Sequence, residues 1–233
     1  LGLPLVYNND PTEKPSRSTL EETYTLIKED ITEARKYLTT AGAPNAEYFT
    51  KDVIDAFEAR VNLYMHQYAG AVTLAKNIIS AYPLLQSEND LKNMWLNDQS
   101  SEIIFRTFMS ISERTNDMTN FLGYSTSANA FQPDFVPSQW VLDLYENSDI
   151  RKGTYFKKDK IVSNNVETND VYMLNKYPGN PALKKTEYEY YHMWKVFRAA
   201  EAYLIAAEAS YLNGDETGAI KYLNDLRGKR GAS

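Results

Sequence analysis

The stretch FRAAEAYLIAAEASYLNGDETGAIKYLNDLR, residues 197 to 227, decides the fold. Its helix carries Ala199, Ala200, Ala202, Ala206, Ala207 and Ala209, with only Glu201, Glu208 and Ser210 as strongly polar members. Small residues at helical spacing let two helix backbones approach closely, and the polar turn around Gly214 reverses the chain. A second stretch, AFEARVNLYMHQYAGAVTLAKNII (residues 56 to 79), repeats the pattern. It aligns Ala59 with Ala207, Tyr64 with Leu212, Ala71 with Ala219 and Ile78 with Leu226. Both read as helical hairpins of the tetratricopeptide kind, and Pro83 sits where such a repeat ends. The Ala-rich helix is therefore expected to pack against its hairpin mate and the neighbouring repeat.

Working outward, Leu20, Tyr24, Ile27, Ile31, Ala34, Tyr37 and Leu38 recur at three and four residues, after Ser18 and before Gly42 and Pro44. This predicts an amphipathic helix over 19–38, entered through the extended connector DPTEKPSRS. A helix over 50–68 capped by Thr50, and another over 71–81 stopped before Pro83, complete the first helical region. Residues 97–196 differ in composition. EIIFRTF (102–108) reads as a strand or buried segment, and 116–140 is loop-like but loaded with aromatics. A short helix is expected over 138–145, and KIVSNNVETNDVYML (160–174) has hairpin character. The expected fold class is mainly α, made of antiparallel helical pairs with long irregular loops and minor β-hairpins. A single domain over 1–233 would place a helical scaffold at 19–82 and 197–230 and a loop-rich ligand-binding insertion at 97–196.

The 233 residues carry 43% hydrophobic and 24% charged side chains, enough to bury a sizeable core. A net charge of -6 without a basic stripe argues against nucleic acid as a partner. The absence of cysteine removes thiol nucleophiles, Cys-rich zinc sites and disulfides. No apolar run of about 18 residues occurs, and the opening LGLPLVYNND lacks the basic and apolar regions of a signal peptide. Eighteen tyrosines supply flat apolar faces with polar tips.

Several stretches together resemble the SusD/RagB family of outer-membrane nutrient-binding lipoproteins. They are VFRAAEAYLIAAEA (196–209) with Gly214, Asp215, Ala219 and YLNDLRGKRG (222–231); LGLPLVY; PSRSTLEETYTLIKEDITEA (15–34); KDVIDAFEARVNLYMHQYAGAVTLAKNII (51–79); SEIIF; and VPSQWVLDLYENSDIR (136–151). The resemblance runs through the whole chain in family order. It implies a tetratricopeptide-like scaffold whose loops capture glycans, or peptides in some members, at the bacterial cell surface. The ligand then passes to a SusC-like TonB-dependent transporter, with no catalysis. It further implies that the chain is a fragment, lacking the lipidated N-terminal cysteine that anchors relatives in the outer membrane and a C-terminal segment.

Sugars lay their C–H groups on aromatic faces and seek Asn, Gln, Asp and Arg for their hydroxyls. Tyr124 and Trp140, flanked by Asn120, Ser125, Asn129 and Gln132, have that mixture, as does Trp95 beside Asn93, Asn97 and Asp98. The candidate ligand-binding set is Trp95, Tyr124, Asn129, Gln132 and Trp140, although packing beneath a loop is the more ordinary role for any one ring. Glu201 and Glu208 lie seven apart on one helical stripe, as a carboxylate pair could, but a structural role with Arg198 paired to Glu201 is favoured. His66 and His192 have no second ligand at metal spacing, and SNNVETND (163–170) reads as a solvated turn before a calcium loop. No catalytic residue, cofactor or metal is expected. A tetratricopeptide scaffold binding a peptide or protein segment is the alternative reading.

Overall fold

A computed structural model describes residues 2–114 and 122–232. The first helix, α1 (Leu20–Tyr37), starts one residue later than Ser18 suggests, because Thr19 is the residue that forms a capping box, with Glu22. The Thr19 hydroxyl accepts from the Glu22 amide at 3.0 Å, and the Glu22 carboxylate accepts from the Thr19 amide at 2.8 Å. This reciprocal box satisfies two otherwise orphaned donors. Thr50 caps α2 (Lys51–Tyr64) by accepting from the Val53 amide, as expected. The chain then turns earlier than the periodicity implies. His66 adopts a left-handed φ of 59°, so α3 (Tyr68–Ala81) begins at Tyr68.

At the other end, α7 (Ala199–Leu212) and α8 (Glu216–Arg230) form the second hairpin. Gly214 reverses the chain at φ 85°, and Asp215 caps α8 by accepting from the Gly218 amide at 2.8 Å. The two hairpins meet through α3 and α7. Ala71 and Ala75 of α3 and Ala199, Ala206 and Ala209 of α7 are wholly buried in one cluster with Val53, Ala59, Ile78, Tyr82 and Ile205. Methyl-sized side chains here bring the backbones together, and a cluster of this kind is close-packed enough to resist any added volume. The internal correspondence is uneven: Ala71 and Ala219 are both buried, whereas Ala59 is buried and Ala207 only partly. The first hairpin has α1 on one side and α7 on the other; the second has the first hairpin on one side.

Between the hairpins, among the described residues, the sequence hides two helices. Ser87 caps α4 (Glu88–Asn97) by accepting from the Asp90 amide at 3.0 Å, and Leu91, Met94 and Trp95 form its buried face. The ambiguous EIIFRTF segment is a strand, β1 (Ile103–Arg106), antiparallel to β6 (Lys195–Arg198), which runs straight into α7. After β2 (Tyr124–Ser125) and β3 (Ala130–Phe131) come α5 (Gln139–Asp143) and α6 (Ile150–Tyr155). The hairpin expected near 160–174 is longer than its sequence signal, with β4 (Phe156–Ser163) paired to β5 (Val166–Leu174). Asn164 and Asn165 close it at φ 50° and 63°, the paired left-handed geometry that matches strand twist. The sheet order is β2-β3-β4-β5. The architecture is therefore mainly α, with helical pairs framing short sheets and loops.

Candidate functional site

The β2–β3 ladder sets Tyr124 opposite Phe131, and the rings meet edge-on at 5.1 Å. Tyr188 arrives from the loop before β6 and stacks flat on Tyr124, with centroids 3.7 Å apart and planes 7° from parallel. The Tyr124 hydroxyl donates to Asn129 Oδ1 at 2.6 Å, and hydrogen bonding to Tyr124 pushes the Tyr188 hydroxyl up to about 12. Asn129 and Gln132 are both exposed. Two of the candidate residues, Tyr124 and Asn129, are thus joined directly, and Gln132 follows Phe131 with its backbone N–H donating to the Gly123 carbonyl at 2.6 Å. Asn120 and Phe121 lie outside the described residues.

Trp140 sits on α5 and is 68% exposed, with exposed Val136 and Leu144 nearby in sequence. Among the described residues no ring contact joins it to Tyr124.

Trp95 departs from the expectation. It is 2% exposed and packed edge-on against Tyr177 at 5.1 Å and Tyr155 at 6.1 Å. The cationic groups of Lys176, Lys195 and Arg198 stand over its ring at 4.7, 4.8 and 5.1 Å. No face is left for a sugar to stack on. Asp98, which looked like a polar neighbour, turns inward at φ 55° and is itself buried. Its carboxylate accepts from the Lys195 ammonium, from Asn180 Nδ2 at 2.8 Å and from the Met193 amide at 3.0 Å.

A second buried carboxylate, Glu102, accepts both oxygens' worth of bonds from Arg230 at 2.6 and 2.7 Å, and from the Leu85 amide at 3.0 Å. Arg198 reaches Glu102 at 3.4 Å instead of pairing with Glu201. The reason is backbone geometry: Arg198 is still extended, so it shares no helical stripe with Glu201. Glu201 instead takes Arg60 of α2 bidentately at 2.6 and 2.7 Å, and the Arg60 guanidinium also covers Phe197 at 4.3 Å. The stripe of Glu201 and Glu208 therefore has its first member committed to holding α7 on α2.

Lys176 is the odd member of this region. Burial, and then the charges of Arg198 and Lys195, push its ammonium down to about 8. Among the described residues no three His, Cys, Asp or Glu side chains converge as a metal would require. His66 stacks on Tyr68 and His192 on Tyr177. No described helix is long and apolar enough to cross a membrane.

Residues 152–232 match the SusD family. A SusD superfamily protein from Bacteroides thetaiotaomicron superposes with a TM-score of 0.76 at 26% identity, covering 99% of this chain and 52% of that one. A SusD-like carbohydrate binding protein from Bacteroides vulgatus shares the fold, with a TM-score of 0.76 at 22% identity over 99% of this chain and 48% of its own. SusD-like protein P38 of Formosa agariphila is 31% identical over 93 residues, 39% of this chain and 18% of that protein. The match over residues 152–232, with the likeness to SusD-like protein P38 and to solved SusD superfamily structures, supports the SusD/RagB resemblance. The chain spans about half the length of the solved relatives it matches.

Proposed function

We propose that the protein is a glycan-binding protein of the bacterial cell surface that captures oligosaccharide or polysaccharide by adhesion, without bond breaking. The match of residues 152–232 to the SusD family carries this reading. The Tyr124–Tyr188 stack, with the amide of Asn129 bonded to it and exposed Gln132 close in sequence, and the exposed ring of Trp140 support it as the contact surfaces. Rings beside amides suit sugars because C–H groups settle on the π-face while hydroxyls exchange hydrogen bonds with the amides. In the same reading the captured glycan passes to a SusC-like TonB-dependent transporter, and a lipid anchor holds the whole protein on the outer membrane.

Isothermal titration against a panel of polysaccharides tests it. At least one should bind with no release of reducing ends, and Tyr124→Ala and Trp140→Ala should each weaken binding about three- to tenfold, the range a lost ring contact supplies. Normal binding by both variants sinks the site assignment. Release of reducing ends, or capture of peptides in place of every glycan, sinks the function.

A further inference from the structure

The charges around Trp95 do not balance. Lys176, Lys195, Arg198, Arg230 and Arg106 gather against three carboxylates, those of Asp98, Glu102 and Glu47. Lys195 is matched by Asp98, Arg230 by Glu102, and Arg106 by Glu47. Arg198 holds only the outer, 3.4 Å share of a Glu102 carboxylate that Arg230 already occupies twice. Lys176 has no hydrogen-bonding or carboxylate partner among the described residues; its ammonium rests on the rings of Trp95, Tyr155 and Tyr177 at 4.7, 5.1 and 5.7 Å. A half-buried ammonium with aromatic contacts alone is a costly arrangement that an incoming anion would relieve. The buried Trp95 indole N–H is a second donor in this cluster with no acceptor.

The same cluster has an open aromatic edge. Tyr177, which touches Lys176, also packs 6.3 Å from Trp194, and Trp194 is 45% exposed. Here an exposed indole, a phenol and an unmatched ammonium succeed one another across the surface.

We propose that Trp194 and Tyr177 with Lys176 and Arg198 form a subsite for an acidic sugar, the ring lying on Trp194 and its carboxylate or sulfate received by Lys176. This rests on the glycan-binding reading and names the ligand class it leaves open. It also gives the cations that close the face of Trp95 a role at their outer side, where Lys176 and Arg198 remain partly exposed.

The test uses methyl glucuronide, methyl glucoside 6-sulfate and uncharged methyl glucoside, followed by the indole N–H resonances of the protein at fixed ionic strength. The acidic probes should bind about tenfold or more tightly than the uncharged one, the scale of one charge-assisted hydrogen bond, and their ranking tells carboxylate from sulfate. Lys176→Gln should abolish that preference, Lys176→Arg should keep it, and Trp194→Ala should weaken all three probes. Equal affinity for charged and uncharged probes, or an acid preference that survives Lys176→Gln, overturns the subsite. Weakened polymer binding in Tyr124→Ala and Trp140→Ala with no acid preference sinks this subsite alone. Intact acid preference with no effect of those two variants sinks the earlier site assignment and leaves this one standing.

Discussion

Lys176 shows how a single residue can work against stability. Its ordinary value of 10.5 falls to about 8 in the folded protein through burial and the nearby charges of Arg198 and Lys195; the other groups facing it are the neutral Tyr155 and Tyr177 phenols. A lysine that is harder to charge when folded opposes folding below its folded value, and that penalty fades as pH rises from about 8 toward 10.5. Lys176→Met should therefore raise the unfolding free energy at pH 7 by about 1–2 kcal/mol, after allowance for partial exposure. Urea titrations at pH 7 and pH 10 check it. The wild type should close the gap at the higher pH, and a destabilised Lys176→Met at pH 7 would refute the account. Trp95 carries the complementary lesson: its neighbours Asn93, Asn97 and Asp98 looked like the rim of a sugar site, yet Trp95 is buried, Asn93 and Asn97 stay on the exposed face of α4, and a left-handed Asp98 turns inward. Periodicity does not encode such a backbone choice.

At the scale of elements, the alanine stripe of α7 was legible because its chemistry is local. Ala206 is wholly buried against the first hairpin, whereas Ala207 next to it is only partly so. Ala206→Leu should cost about 1–3 kcal/mol of stability, as overpacking does, and Ala207→Leu distinctly less. Equal losses in thermal or urea unfolding would show that the interface is not close-packed at Ala206. A second test lies at the start of α1, where Thr19→Ala removes the capping box and should cost about 0.5–2 kcal/mol. The paired hairpins were readable from spacing and turn residues, the β4–β5 pair showed as hairpin character, and the β1 segment was legible only as a strand or a buried run. Helix α4 was not read, although Ser87 and Asp90 supply its cap, because its polar face of Glu88, Asn93 and Asn97 resembles loop composition. The tyrosine stack was half legible: Tyr124 and Asn129 lie in one aromatic-rich stretch, but Tyr188 comes from far along the chain, and only the fold brings it there.

Over the whole molecule, Glu102 does what no single element can. It lies just before β1, yet it holds Arg230 at the end of α8, the Leu85 amide ahead of α4, and Arg198 at the junction of β6 with α7. Three other segments therefore converge on one fully buried carboxylate. Replacing it with glutamine keeps the shape but removes the charge, leaving the Arg230 guanidinium buried beside a neutral amide and next to an already cationic neighbourhood. Breaking one side of such a pair costs about 3–5 kcal/mol, because the surviving charge can neither return to water nor find another partner. Glu102→Gln should accordingly unfold at much lower urea than the wild type. The double variant Glu102→Gln with Arg230→Met should recover a large part of the loss, since the stranded charge goes with its partner. If the double variant is as unstable as the sum of the two single ones, the carboxylate and Arg230 act independently, and the convergence of segments at Glu102 is not what joins the second hairpin to the region around α4.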